Sequence, residues 1–100
     1  MTRQDAHRYV IAYDITDDRR RSALATLLQG YGDRVQFSVF VIDSPAAGMV
    51  RLSDAIRQVI DGVQDSVLIC DLGPLRSLGP KTFGVIGRQR PITTGASFVI

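Results

Sequence analysis

Tyr9-Val10-Ile11-Ala12-Tyr13-Asp14-Ile15-Thr16-Asp17-Asp18-Arg19-Arg20-Arg21 joins an apolar run to an acid and then to three arginines. Tyr9 to Asp14 is rich in Val, Ile and Tyr, side chains that suit a pleated, half-buried surface, and reads as a strand. Alternation assigns Tyr9, Ile11 and Tyr13 to one face and Val10, Ala12 and Asp14 to the other. Both faces are mostly apolar, which predicts a strand inside a sheet, with Asp14 at its tip. Two readings of that tip stand on the residues alone. Asp14 and the arginines form a metal- and phosphate-binding site, or Asp14 caps a turn and Arg19 to Arg21 are a solvated helix face.

Working outward, Thr16 is placed to cap a first helix, with Asp17 and Asp18 in the first turn, where the helix dipole favours negative charge. Ala23, Leu24, Leu27 and Leu28 make its apolar stripe, and Gly30 and Gly32 can end it in a left-handed conformation. Arg34 to Asp43 alternates as one bent strand. Arg34, Gln36, Ser38 and Phe40 share one face; Val35, Phe37, Val39 and Val41 share the other. Ser44 and Pro45 suit the N-cap and first position of a second helix. Met49, Leu52, Ile56, Val59, Ile60 and Val63 are its stripe. Val67 to Leu72 reads as another core strand, closed by Gly73-Pro74. The order strand, helix, strand region, helix, strand predicts an α+β, ferredoxin-like β-α-β-β-α-β domain with both helices on one face of the sheet. The apolar end Phe98-Val99-Ile100 adds an extra strand, on this sheet or on a neighbour's.

One hundred residues make a single domain, 1–100, and a chain this short gains from a second subunit. No apolar stretch reaches the roughly 18 residues of a membrane span, and the polar start lacks a signal core, so cytoplasmic residence is expected. Cys70 is the only cysteine, which excludes an internal disulfide and a cysteine zinc cluster. Its neighbours, Ser66-Val67-Leu68-Ile69, predict a buried core thiol. His7 is the only histidine and lies in the polar start, which argues against Ser-His-Asp or Cys-His chemistry. Gly79-Pro80-Lys81-Thr82 breaks the spacing of a phosphate-binding loop. Asp71 and Lys81 are too close for the crossover helix of a phosphoacceptor domain. The net charge is only +2, yet eleven of the twelve basic residues are Arg and all ten acids are Asp. Arg presents a planar fork that fits phosphate. A nucleotide-composition bias in the genome explains the same count.

Tyr13-Asp14-Ile15-x-Asp17-Asp18 with its arginines, followed by Tyr31-Gly32-Asp33-Arg34-Val35-Gln36-Phe37-Ser38-Val39-Phe40, resembles the Cas-two family of CRISPR-associated proteins over residues 8 to 72. The resemblance implies a ferredoxin-like homodimer whose C-terminal strands pair across the two protomers, with about 75–100 as a dimerisation segment. It implies a short strand and a longer one separated by a kink near Ser38. It also implies a metal-dependent endonuclease on RNA or double-stranded DNA, using Mg²⁺ or Mn²⁺, and a place with the Cas-one integrase in spacer acquisition. Carried over by position, Asp14 from both protomers is the catalytic and metal-binding acid. Tyr13, Arg21, Arg34, Ser38 and Phe40 are the other positions, with Arg19 and Arg20 as additional nucleic-acid contacts. A second family arginine, two positions beyond Arg21, is here Ala23. A small-ligand regulator on the same fold is the reading that involves no nucleic acid.

Overall fold

A strand that is apolar on both faces needs neighbours on both sides, and β1 (His7–Asp14) has them. In the computed structural model, which describes residues 6–79 and 83–90, β1 pairs antiparallel with β3 (Val39–Ser44) and with β4 (Ser66–Pro74). A short β2 (Asp33–Gln36) completes the four-stranded order β2-β3-β1-β4, the ferredoxin-like arrangement. Helices α1 (Asp18–Gln29) and α2 (Ala46–Val59) join β1 to β2 and β3 to β4.

The core lies between the helices and one sheet face. Ile11, Leu24, Leu28, Phe40, Ile42 and Leu52 are fully buried there, with Tyr9 and Tyr13 beside them, as β1 alternation requires. The opposite face carries a smaller apolar cluster of Val35 and Val41, packed by Val10, Val39 and Phe83. On that face Arg8 and Asp43, cross-strand neighbours, form a fork of 2.7 and 2.9 Å with side chains 5% and 9% exposed.

Several local expectations are corrected. Asp17, not Thr16, caps α1, because its Oδ2 accepts the Arg20 amide at 2.9 Å. Ala25 replaces the exposed Ala23 in the buried stripe. Gly30 ends α1 in right-handed geometry, so neither Gly30 nor Gly32 is left-handed. Gly32 is needed for close approach instead: an added Cβ would lie 2.1 Å from the Val41 carbonyl oxygen. The Arg34–Asp43 region is two strands, not one, because the chain turns at Phe37-Ser38 and the register slips between Arg34 and Gln36. Ser44 is the last residue of β3, its hydroxyl donating to the Pro45 carbonyl, and Pro45 takes the cap position without a side-chain bond. Val63 lies beyond α2 and is 94% exposed. β4 is an edge strand rather than a core one, since among the described residues nothing pairs outside it. Cys70, opposite Val10 of β1, lies on the sheet face away from the helices and is exposed. The extra strand expected at Phe98-Val99-Ile100 lies outside the described residues.

Candidate functional site

Asp14 ends β1 opposite Ser66 of β4, and strand alternation turns it to the face away from the helices. Its side chain is exposed and, among the described residues, makes no hydrogen bond or ion pair. The capping reading of this acid therefore fails: Asp17 takes the helix cap, and Asp14 keeps its oxygen lone pairs free.

The connection behind Asp14 is tied down by Arg21. Its Nη1 donates to the Ile15 and Thr16 carbonyls at 3.1 and 3.3 Å, and its Nη2 donates to Asp18. Beside it, the β2–β3 turn closes against β1. The Tyr13 amide donates to the Ser38 carbonyl at 3.1 Å, and the Tyr13 hydroxyl donates to the Phe37 carbonyl at 3.4 Å. Arg34 reaches into the same corner. Its Nη2 donates to the Tyr13 hydroxyl at 3.4 Å, and its guanidinium carbon lies 5.5 Å from the Phe37 ring centre and 5.3 Å from that of Phe40. Cation–π attraction orients the fork there. Its Nε is buried and, among the described residues, has no hydrogen-bond partner.

The structure brings Tyr13, Arg34, Ser38 and Phe40 together at one end of the sheet, with Arg21 beside Phe37, while Asp14 ends β1 on the opposite sheet face. Phe40 is fully buried and stacks on Tyr13 at 6.3 Å, so it supports Arg34 and Tyr13 from within. Arg19 is exposed on α1. Arg20 points elsewhere. It forks onto Asp65 at 2.7 and 3.1 Å, and Asp65, whose side chain has no solvent exposure, also accepts the Asp61 amide at 2.8 Å. The hydrogen bond with Arg20 holds the Asp65 carboxyl below its ordinary value and raises that of Arg20. Sequence reasoning missed this lock because the partners are 45 positions apart. It also missed Phe37, which is 61% exposed and has Arg21 and Arg34 within 6.0 Å of its ring centre. Alternation hid Phe37, since it falls in step with Val35, Val39 and Val41 and so reads as part of an apolar strand face.

Among the described residues no group of three or more His, Cys, Asp or Glu side chains could hold a metal. Asp14 offers an unpaired carboxylate, a hard oxygen donor of the kind Mg²⁺ takes together with water and phosphate. No helix among the described residues is long and apolar enough to cross a membrane.

Comparison with known proteins bears on the same segment. The family model for CRISPR associated protein Cas2 matches residues 7–75. A CRISPR-associated endoribonuclease Cas2 of Geobacter sulfurreducens is 35% identical over 92 residues, covering 86% of this chain and 97% of that one. One from Chloroflexus aurantiacus is 48% identical over 76 residues, covering 76% and 82%. The fold superimposes on the crystal structure of a hypothetical protein from Thermus thermophilus with a TM-score of 0.71 and 34% identity, covering 88% of this chain and 99% of the other. The matched segment contains β1, the arginines and the β2–β3 turn, the elements that build the site, and the chain belongs to the CRISPR-associated Cas2 family.

Proposed function

We propose that this chain handles nucleic acid in CRISPR adaptation. As a homodimer it binds duplex DNA in the spacer-integration complex with the Cas-one integrase, and it cleaves phosphodiester bonds of RNA or DNA with Mg²⁺ or Mn²⁺. The observation that carries the reading is the unpaired Asp14 carboxylate on the open sheet face, at the strand end whose other face carries the Tyr13–Arg34 corner. The endoribonuclease names of the relatives support it.

The surface supports the dimer. β4 leaves an outer edge with apolar Leu68 65% exposed, a strand that invites pairing. A second copy on the open face sets two Asp14 side chains across a two-fold axis. When bound there, the ion supplies an activated water and offsets phosphoryl charge. The chain's own contribution is orientation. Arg34 and Arg21 hold phosphate oxygens, Tyr13 fixes Arg34, and Asp14 binds from the strand tip. No histidine is required, which suits a chain whose only one, His7, pairs with Asp71 at the other end of β1.

The test is a cleavage panel of single-stranded RNA, single-stranded DNA and duplex DNA, with Mg²⁺, with chelator, and with Asp14→Ala. Cleavage requires the metal and disappears in Asp14→Ala, while size-exclusion chromatography still shows a dimer. Wild-type cleavage by the variant sinks the nuclease reading. The alternative is a structural adaptor of the integrase complex without physiological nuclease activity. That reading predicts no metal-dependent cleavage and duplex binding that weakens steeply with salt.

A further inference from the structure

Phe37 has no role in the cleavage scheme, and its position is unusual. An aromatic side chain ordinarily adds its large apolar surface to a core, yet this ring is 61% exposed. It stands at the tip of the β2–β3 turn, and the backbone there is pinned. The Phe37 carbonyl accepts the Tyr13 hydroxyl, and the neighbouring Ser38 carbonyl accepts the Tyr13 amide. The ring is therefore mounted on a turn anchored to Tyr13 of β1. Two guanidiniums flank it, Arg34 at 5.5 Å and Arg21 at 6.0 Å, and with so much of the ring in solvent they do not enclose it. Exposed aromatics beside backbone-tracking cations are the elements with which proteins hold unpaired bases.

We propose that Phe37 is a stacking platform for an unpaired nucleobase, with Arg21 and Arg34 holding the phosphates on either side. The inference rests on the nucleic-acid reading above and deepens it. The base enters from a single strand or from the frayed end of a duplex. A base inside a continuous duplex is already stacked on both faces and cannot use the ring. Phe37 therefore selects for open ends and single strands, and the arginines supply the sequence- and strand-independent attraction.

The experiment is fluorescence anisotropy with three labelled probes at fixed salt: a short single-stranded RNA, a closed blunt duplex, and the same duplex with splayed ends. Phe37→Ala weakens binding of the single strand and the splayed duplex by about tenfold or more. It leaves the closed duplex within about twofold, and Phe37→Trp restores the lost affinity. The salt dependence of single-strand binding keeps its slope in Phe37→Ala, because no phosphate contact is removed. Circular dichroism and size-exclusion chromatography accompany each variant. Equal weakening on all three probes, or none on any, overturns the proposal. So does a shift of Phe37→Ala toward monomer, which assigns the ring to an interface between copies of this chain. Wild-type protein that binds no probe overturns the nucleic-acid reading itself, whereas wild-type binding that Phe37→Ala leaves unchanged removes only the stacking role.

Discussion

Replacing Arg8 by Met unpairs a charge inside the sheet. Arg8 Nε and Nη2 donate to the two oxygens of Asp43 at 2.7 and 2.9 Å, and the side chains are 5% and 9% exposed. Methionine keeps much of the arginine stem and removes the fork, so the Asp43 carboxylate loses the guanidinium that compensates it. Breaking one side of a buried ion pair typically costs about 3–5 kcal/mol. Against the roughly 5–15 kcal/mol that holds a domain together, that is a large share. For a domain of this size each kcal/mol moves the melting temperature by roughly 4–8 °C, so Arg8→Met melts roughly 12–40 °C lower. The double variant Arg8→Met/Asp43→Leu behaves differently. The two positions face each other in register, on a sheet face that already carries Val10, Val39 and Val41. A matched apolar pair there removes both desolvation penalties, and stability returns to near the wild type or above it. Thermal melts of both single variants and the double variant give the coupling energy directly. A single variant within about 1 kcal/mol of wild type, or a double variant no better than the singles, refutes the assignment of a buried, mutually dependent pair. Arg8 and Asp14 are six residues apart on β1, roughly 20 Å in an extended strand, so the folded double variant keeps wild-type nucleic-acid binding.

Gly32→Ala places a Cβ 2.1 Å from the Val41 carbonyl oxygen and 2.7 Å from Ile42 Cγ1, both in β3. Overpacking of this kind costs typically about 1–3 kcal/mol, and here the obstacle is partly backbone, so urea unfolding should place the loss at that level or above; a midpoint equal to wild type would refute the close approach. Acid acts through three carboxyls held below their ordinary values. Asp65 is lowered first by the Arg20 hydrogen bond, Asp61 by the Val63 and Gln64 amides, and Asp71 by the Gly73 amide and then His7. Depressed folded-state values contribute stability that is present above the unfolded carboxylate value near 4 and is lost as pH falls through the folded values. Urea midpoints therefore hold steady from pH 7 to about 5 and drop below about 4, and equal midpoints at pH 5 and 3 would contradict the linkage.

What could be read from the residues follows the range of the interactions. The strand at Tyr9 to Asp14 and the α2 stripe of Met49, Leu52 and Ile56 are periodic, and periodicity survives into burial. The β2–β3 break was implied by family resemblance and not by alternation, since a two-residue turn at Phe37-Ser38 leaves the apolar pattern almost intact. Cys70 and its neighbours were misread because an apolar run does not say whether a strand is central or at an edge. Edge status is set by the strand order, which places nothing described beyond β4.

The arginine run shows the same limit at the site itself. Three consecutive positions on a helix are spread about 100° apart, so Arg19, Arg20 and Arg21 cannot converge on one phosphate. The structure sends them three ways: Arg19 into solvent, Arg20 onto Asp65, and Arg21 back over the Ile15–Thr16 carbonyls toward Phe37. Arg34, far off in sequence, comes to the same ring from the other strand. The cluster in sequence is thus one lock and two exposed or half-exposed charges, and the Phe37 corner is built from one arginine of the run and one from outside it. Arg20 therefore acts on nucleic acid only through the position of α1. On the proposed nucleic-acid reading, the phosphate-holding role falls to Arg21 and Arg34, whose guanidiniums both approach the Phe37 ring.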